Sequence, residues 1–170
     1  EEDIPNPLSE YGKSKANGEK LVLENYEKSY VIRTSWLFGI GGNNFNKQVI
    51  NWSKTKDILK IADDLVSVPT YAKDLAYFSW KLIQTGRFGL YHITNSGVAS
   101  KYEQAKYILE KIKWKGKIER AKADDFKSPA ERPKYSKLSS EKVENLLGEK
   151  IPNWENGLDR FLKEMEFDID

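Results

Sequence analysis

At 170 residues, with 39% hydrophobic and 12% aromatic content, the chain can bury one core, as a single domain or as one lobe of a larger one. Its 28 basic and 26 acidic residues nearly cancel to +2, and no basic run is dense enough to mark a nucleic-acid surface. There is no cysteine and a single histidine, His92, which excludes disulfides, thiol chemistry and a histidine-rich metal site. No apolar run has membrane-spanning length, so a cytoplasmic protein without a membrane partner is expected.

Asn6 before Pro7 predicts a helix that is capped at Asn6 and runs to about Tyr26. Tyr30 to Phe38 is rich in β-branched and aromatic residues and predicts one buried strand, which Gly39-Ile40-Gly41-Gly42 ends. An amphipathic helix follows from Phe45 to about Ser53, then a short strand from Ile58 to Ala62. Pro69 and Thr70 lead into a helix from about Lys73 to Gln84, and Gly89 to Thr94 reads as a strand. Ser100 caps a helix from Lys101 to Ile112, and Lys117 to Ala121 is a candidate strand. Asp124 to Ser136 is polar and without periodicity. Ser139 to Leu147 predicts a short helix. A closing helix from Asn153 to Met165 turns Trp154, Leu158, Phe161 and Leu162 inward. Strands alternating with helices indicate an α/β fold.

Chemistry enters with Tyr11 and Lys15. Four residues apart on a helix, the two side chains share a face. A lysine ammonium beside a phenol favours its ionised form, which suits a proton shuttle in keto/alcohol reduction. The bare spacing is weak, because it also occurs at Tyr77/Lys81, Tyr102/Lys106 and Tyr107/Lys111, where it falls on ordinary amphipathic helices. Only the first pair has Asn-Pro before it and Gly-Glu after it. The glycine run Gly39 to Gly42 lacks the spacing of a dinucleotide-binding loop. His92, flanked by Tyr91 and Ile93, reads as a structural, hydrogen-bonded residue rather than a catalyst.

Five blocks in order carry a family resemblance. They are Asn6-Pro7-Leu8-Ser9-Glu10-Tyr11-Gly12-Lys13-Ser14-Lys15 with Gly18-Glu19; Arg33-Thr34-Ser35-Trp36-Leu37-Phe38-Gly39 with Asn44-Phe45; Asp64 with Pro69-Thr70-Tyr71-Ala72 and Asp74; Gly89-Leu90-Tyr91-His92 with Ser100 and Tyr102-Glu103; and Ala130 with Arg132-Pro133 and Ser136-Lys137-Leu138. On them the chain resembles the C-terminal part of the extended short-chain dehydrogenase/reductase family, closest to its dTDP-4-dehydrorhamnose reductase branch. The third block departs from the family pattern, with Leu65 for a glutamine and Ser67 for a glycine; in the fourth, Lys101 stands where tryptophan is common.

The resemblance implies NAD(P)H-dependent reduction of a dTDP-4-dehydro-6-deoxy sugar. NADPH or NADH would supply hydride, Tyr11 would be the proton donor, and Lys15 would tune Tyr11 and bond the cofactor ribose. It places Thr34 and Ser35 beside the nicotinamide, as alternatives to plain strand residues. It places Trp36 in the sugar site, as an alternative to a core aromatic. Asn44 would hold the substrate's diphosphate or sugar unless it is a helix N-cap, and Arg132 would grip the diphosphate unless it is a surface arginine. Ser136 is a weaker candidate for the substrate. No metal is implied.

The implied architecture is a partial, doubly wound Rossmann-type sheet plus a small C-terminal substrate-binding lobe, with the N-terminal dinucleotide-binding strands absent. Residues of about 1–60 and 70–95 would be the Rossmann remnant, and about 60–70 and 96–170 mostly the substrate lobe. An isolated chain of this kind is expected to be inactive. It should also self-associate, or bind a partner that covers the missing half. Two other functions fit the same resemblance: a non-catalytic regulatory subunit like the methionine adenosyltransferase β subunit, and another NDP-sugar epimerase or reductase.

Overall fold

The structure is a computed structural model that describes residues 1–126 and 132–167. Its elements follow in chain order as α1 (Glu10–Asn25), β1 (Tyr30–Arg33), β2 (Leu37–Phe38), α2 (Phe45–Ser53), β3 (Ile58–Ala62), β4 (Val66–Ser67), β5 (Thr70–Tyr71), α3 (Ala72–Gln84), β6 (Gly89–His92), β7 (Ala99–Ser100), α4 (Lys101–Lys111), β8 (Lys117–Ala121), α5 (Glu141–Leu147) and α6 (Trp154–Glu164). The strands form four two-stranded ladders. β1–β6, β2–β5 and β3–β8 are parallel, and β4–β7 is antiparallel. Parallel pairing needs long crossovers, and each of the three parallel connections carries at least one helix. This is the α/β architecture expected from the sequence.

Two expectations need correction. The first helix is capped by Ser9, not Asn6: the Ser9 hydroxyl accepts from the Gly12 N–H at 3.1 Å, and Glu10 opens the helix. Two cap-competent residues compete here, and the one whose oxygen reaches a free N–H of the first turn wins. The predicted strand from Tyr30 to Phe38 is also broken. Trp36 takes a φ of +39°, which ends β1 at Arg33 and restarts the chain as β2 at Leu37. A positive φ on a bulky residue is strained, and tertiary contacts must hold it.

Two apolar clusters hold the elements. The larger gathers Phe38, Val49, Ile50, Leu59, Ile61, Tyr71, Ala105, Ile108, Leu109 and the inner face of α6, where Trp154, Leu158, Phe161 and Leu162 are buried as the sequence pattern indicates. Gly157 lets α6 lie against β5, since a Cβ there would sit 3.0 Å from the Tyr71 Cβ. The smaller packs Phe78 and Leu82 of α3 against Tyr91 and Ile93, with Val143 of α5 and Ile151 closing it. By contrast α1 buries no residue at all. It is held to β1 by Glu19, whose carboxylate takes a two-pronged contact from the Arg33 guanidinium, Nε to Oε2 at 2.7 Å and Nη2 to Oε1. Among the described residues, no helix is long and apolar enough to cross a membrane.

Candidate functional site

The first group of predicted residues lies on and beside α1. The Lys15 ammonium sits 5.5 Å from the Tyr11 ring centroid, as the four-residue spacing requires. The same geometry recurs at Tyr77/Lys81 and Tyr107/Lys111, both at 5.6 Å, so distance alone does not single out the first pair. Availability does. Lys81 is bound to Glu149, and the Tyr77 hydroxyl reaches that carboxylate at 3.5 Å. Tyr107 donates to Asp159 at 2.9 Å, and Lys111 pairs with the same group at 3.5 Å. In the remaining pair, Arg120 covers the Tyr102 ring at 4.2 Å and Lys106 pairs with Glu110 at 3.6 Å. Tyr11 and Lys15 make no hydrogen bond or ion pair among the described residues, and the tyrosine is 73% exposed.

The Glu19–Arg33 pair sets α1 against the end of β1, and Thr34, Ser35 and Trp36 follow there in sequence. The Thr34 hydroxyl is buried and unpartnered, which is unusual for such a group. Ser35 donates to the Val68 carbonyl at 2.8 Å, and the Trp36 carbonyl accepts from the Thr70 N–H at 3.3 Å. Those two bonds hold the strained turn. Next to Arg33, His92 is buried, with Nε2 3.3 Å from Arg33 Nη1. Burial depresses its pKa against the opposing Glu1 charge and favours the neutral ring; Nε2 has the hydrogen bond expected of a structural histidine, whereas Nδ1 is buried without a partner.

The second group converges on residues 65–70. The Leu65 carbonyl accepts from the Lys101 N–H at 3.2 Å, and β4 pairs with β7 just before α4. On the other edge, Val66 donates to the Lys134 carbonyl at 2.8 Å and accepts from the Ser136 N–H at 3.0 Å. Ser67, one of the two departures in the third sequence block, is fully buried and donates to the Ser136 carbonyl at 2.9 Å. The segment therefore joins Trp36, Lys101 and the stretch from Lys134 to Ser136. Ser136 is fixed there by its backbone, and Arg132 is exposed. Ala130 of the fifth block lies outside the described residues.

Lys101 was not among the predicted site residues. Its ammonium lies 3.5 Å from the Trp36 ring centroid and 4.4 Å from that of Phe45. Burial first, and then the Arg132 charge, push Lys101 down to about 7, while the two ring faces favour its charged form. A sequence signal was present: a lysine at the first position of a helix opposes the macrodipole and calls for an explanation. Asn44 turns out to be the N-cap of α2. Its Oδ1 accepts from the Lys47 N–H at 3.2 Å, and its Nδ2 donates to the Gly39 carbonyl at 2.8 Å. The chain itself thus uses the amide that was expected to face substrate. Lys47 adds bonds to the carbonyls of Ile40 and Gly42, which tie the glycine-rich turn to the helix.

Comparison with known proteins gives the family of the chain. The family model described as RmlD substrate binding domain matches residues 1–167. The spore coat polysaccharide biosynthesis protein SpsK of Bacillus subtilis is 37% identical over 164 residues, which is 96% of this chain and 57% of that protein. The dTDP-4-dehydrorhamnose reductase of Aggregatibacter actinomycetemcomitans is 36% identical over 173 residues, covering 93% of this chain and 58% of the relative. Among solved structures, the dTDP-4-dehydrorhamnose reductase of Clostridium acetobutylicum superposes with a TM-score of 0.92 at 36% identity, over 98% of this chain and 59% of that one. The Bacillus anthracis enzyme of the same name, in complex with NADP, gives 0.91 at 38% identity, over 96% and 58%. The chain thus spans between 57% and 59% of the length of these relatives.

Proposed function

Because the chain belongs to the RmlD substrate-binding domain family, we propose that the protein carrying it is an NAD(P)H-dependent reductase of a dTDP-4-dehydro-6-deoxy sugar, dTDP-4-dehydrorhamnose in the first instance. The observation that carries this reading is the uncommitted Tyr11/Lys15 pair. Of four such pairs, it alone keeps both functional groups free for a ligand. In this reading the Tyr11 phenol donates a proton to the substrate's carbonyl oxygen. Lys15 holds the charge beside it and bonds the cofactor ribose. Trp36, Arg132 and Ser136 contact the nucleotide sugar, whereas the Asn44 amide is taken up by the cap of α2.

The residues present fit a nicotinamide cofactor. Tyr11 and Lys15 offer uncommitted polar groups on α1, and the buried Thr34 hydroxyl just after β1 lacks a partner that such a ligand would supply. When bound, the cofactor supplies hydride to the carbonyl carbon. The NADP complex of the Bacillus anthracis relative favours NADPH over NADH. We assign the Rossmann remnant to about residues 1–60 and 70–95, and most of the substrate lobe to the remainder, as the sequence suggests. The test is NADPH oxidation by the protein with dTDP-4-dehydrorhamnose. Turnover is expected, and its absence with both NADPH and NADH would end this reading.

The same proposal includes a covering surface for α1. Leu21 is 60% exposed on that helix, Tyr26 is 67% exposed just after it, and Trp80 is 64% exposed on α3. Large apolar side chains left exposed are expected to bind a further part of the protein or a second copy. The 170-residue chain alone should sediment as more than a monomer at micromolar concentration. A stable monomer would reject the idea.

A further inference from the structure

Lys101 is a largely covered charged side chain for which the reaction above has no use. Its ammonium is wedged against Trp36 at 3.5 Å and Phe45 at 4.4 Å, and its hydrogen bond is to Gln104 Oε1 at 3.3 Å. Gln104 is itself buried and donates through Nε2 to Asn46 Oδ1 at 2.7 Å. Asn46 is fully buried, and its Nδ2 has no acceptor. Arg132 is exposed two residues before Lys134, whose carbonyl accepts from the Val66 N–H beside the Leu65 carbonyl that binds the Lys101 N–H. Among the described residues, no carboxylate pairs with either cation.

The group is therefore rich in N–H donors and poor in acceptors. A cation held out of water without a counter-charge is unfavourable, and a second cation beside it makes this worse. The two ring faces offset part of that cost. An anion bridging Lys101 and Arg132 would offset the rest, and a ligand with two adjacent negative groups suits two cations best. The backbone brings the two segments to one strand: Lys101 and residues 134–136 hydrogen-bond to opposite sides of the 65–67 segment.

We propose that Lys101 contacts the substrate and, with Arg132, holds the diphosphate of the nucleotide sugar beside Trp36. The identity of the ligand rests on the reductase reading, whereas the anion site does not. The experiment is calorimetric titration of the protein with dTDP and, separately, with inorganic pyrophosphate, for the wild type, Lys101→Met, Lys101→Gln and Lys101→Arg.

The two uncharged variants are expected to weaken both ligands by ~10-fold or more, Lys101→Arg to retain binding within ~3-fold, and NADPH affinity to stay unchanged. Circular dichroism identifies any variant that fails to fold, and the remaining uncharged variant then decides. Wild-type affinity in a folded uncharged variant would show that Lys101 merely packs against the rings, and would overturn the proposal. Failure of the wild type to bind either ligand would overturn it too. Lys101-dependent binding of pyrophosphate without binding of dTDP would keep the anion site and reject the nucleotide-sugar reading.

Discussion

Tyr11→Phe is expected to lower turnover of the dTDP-4-dehydro sugar by ~10²–10⁴-fold, the usual contribution of a positioned general acid. On the scale of 1.36 kcal/mol per tenfold, that is a loss of ~3–5 kcal/mol of transition-state stabilisation. The substitution removes one hydroxyl from a side chain that is 73% exposed, on a helix that buries nothing, so stability should hardly change. The fall should appear mainly in kcat, because proton donation is made in the transition state. Tyr77→Phe is the matched control. It has the same spacing to a lysine, but its hydroxyl contacts Glu149, and turnover should be unaffected. Equal activity of wild type and Tyr11→Phe would remove the chemical basis of the assignment.

What could be read in the sequence was local. Ser100 capping α4, with Glu103 returning the bond, follows from residues three apart, and the structure has both halves of that capping box. The inner face of α6 follows from 3.6-residue spacing, and β3 from the short, mostly apolar stretch Ile58 to Ala62 that ends at Asp63-Asp64. Tyr11 and Lys15 were found together because helix geometry alone joins them. Apart from the choice of Ser9 over Asn6 as the first cap, the failures are non-local. Nothing near Trp36 announces its positive φ, which depends on Val68 and Thr70 holding Ser35 and Trp36 from another segment. The two-residue strands β4, β5 and β7 exist only through their partners, and leave no periodicity to detect. Lys101 against Trp36 unites residues from different parts of the chain. It showed in the sequence only as an oddly placed charge. Asn44 was legible as two alternatives, and both amide bonds seen in the structure go to the chain itself.

The largest stability effect should come from Asp74, at the start of α3. It is buried, and its Oδ2 accepts from Asn95 Nδ2 at 2.7 Å and from Arg160 Nη2 at 2.5 Å. Asn95 in turn accepts from the Tyr71 N–H at 2.7 Å and donates to the Pro152 carbonyl at 3.0 Å. One carboxylate therefore locks α3, β5, the loop before α6 and α6 itself. Removing one partner of a buried pair costs more than the pair contributes, because the other charge stays behind. Arg160 is partly exposed and keeps a bond to Asn156 at 2.9 Å, and Asn95 keeps Pro152, so the cost is reduced. Asp74→Ala should therefore destabilise by ~2–4 kcal/mol, below the full value for a wholly buried pair. For a chain of this size, this lowers Tm by roughly 5–15 °C. Asp74→Asn keeps the shape and one acceptor, and should lose about half as much. Thermal unfolding followed by circular dichroism separates the two. Equal melting of Asp74→Ala and wild type would mean that the closing helix is held by its apolar face alone, with Phe161 and Leu158 sufficient to dock it.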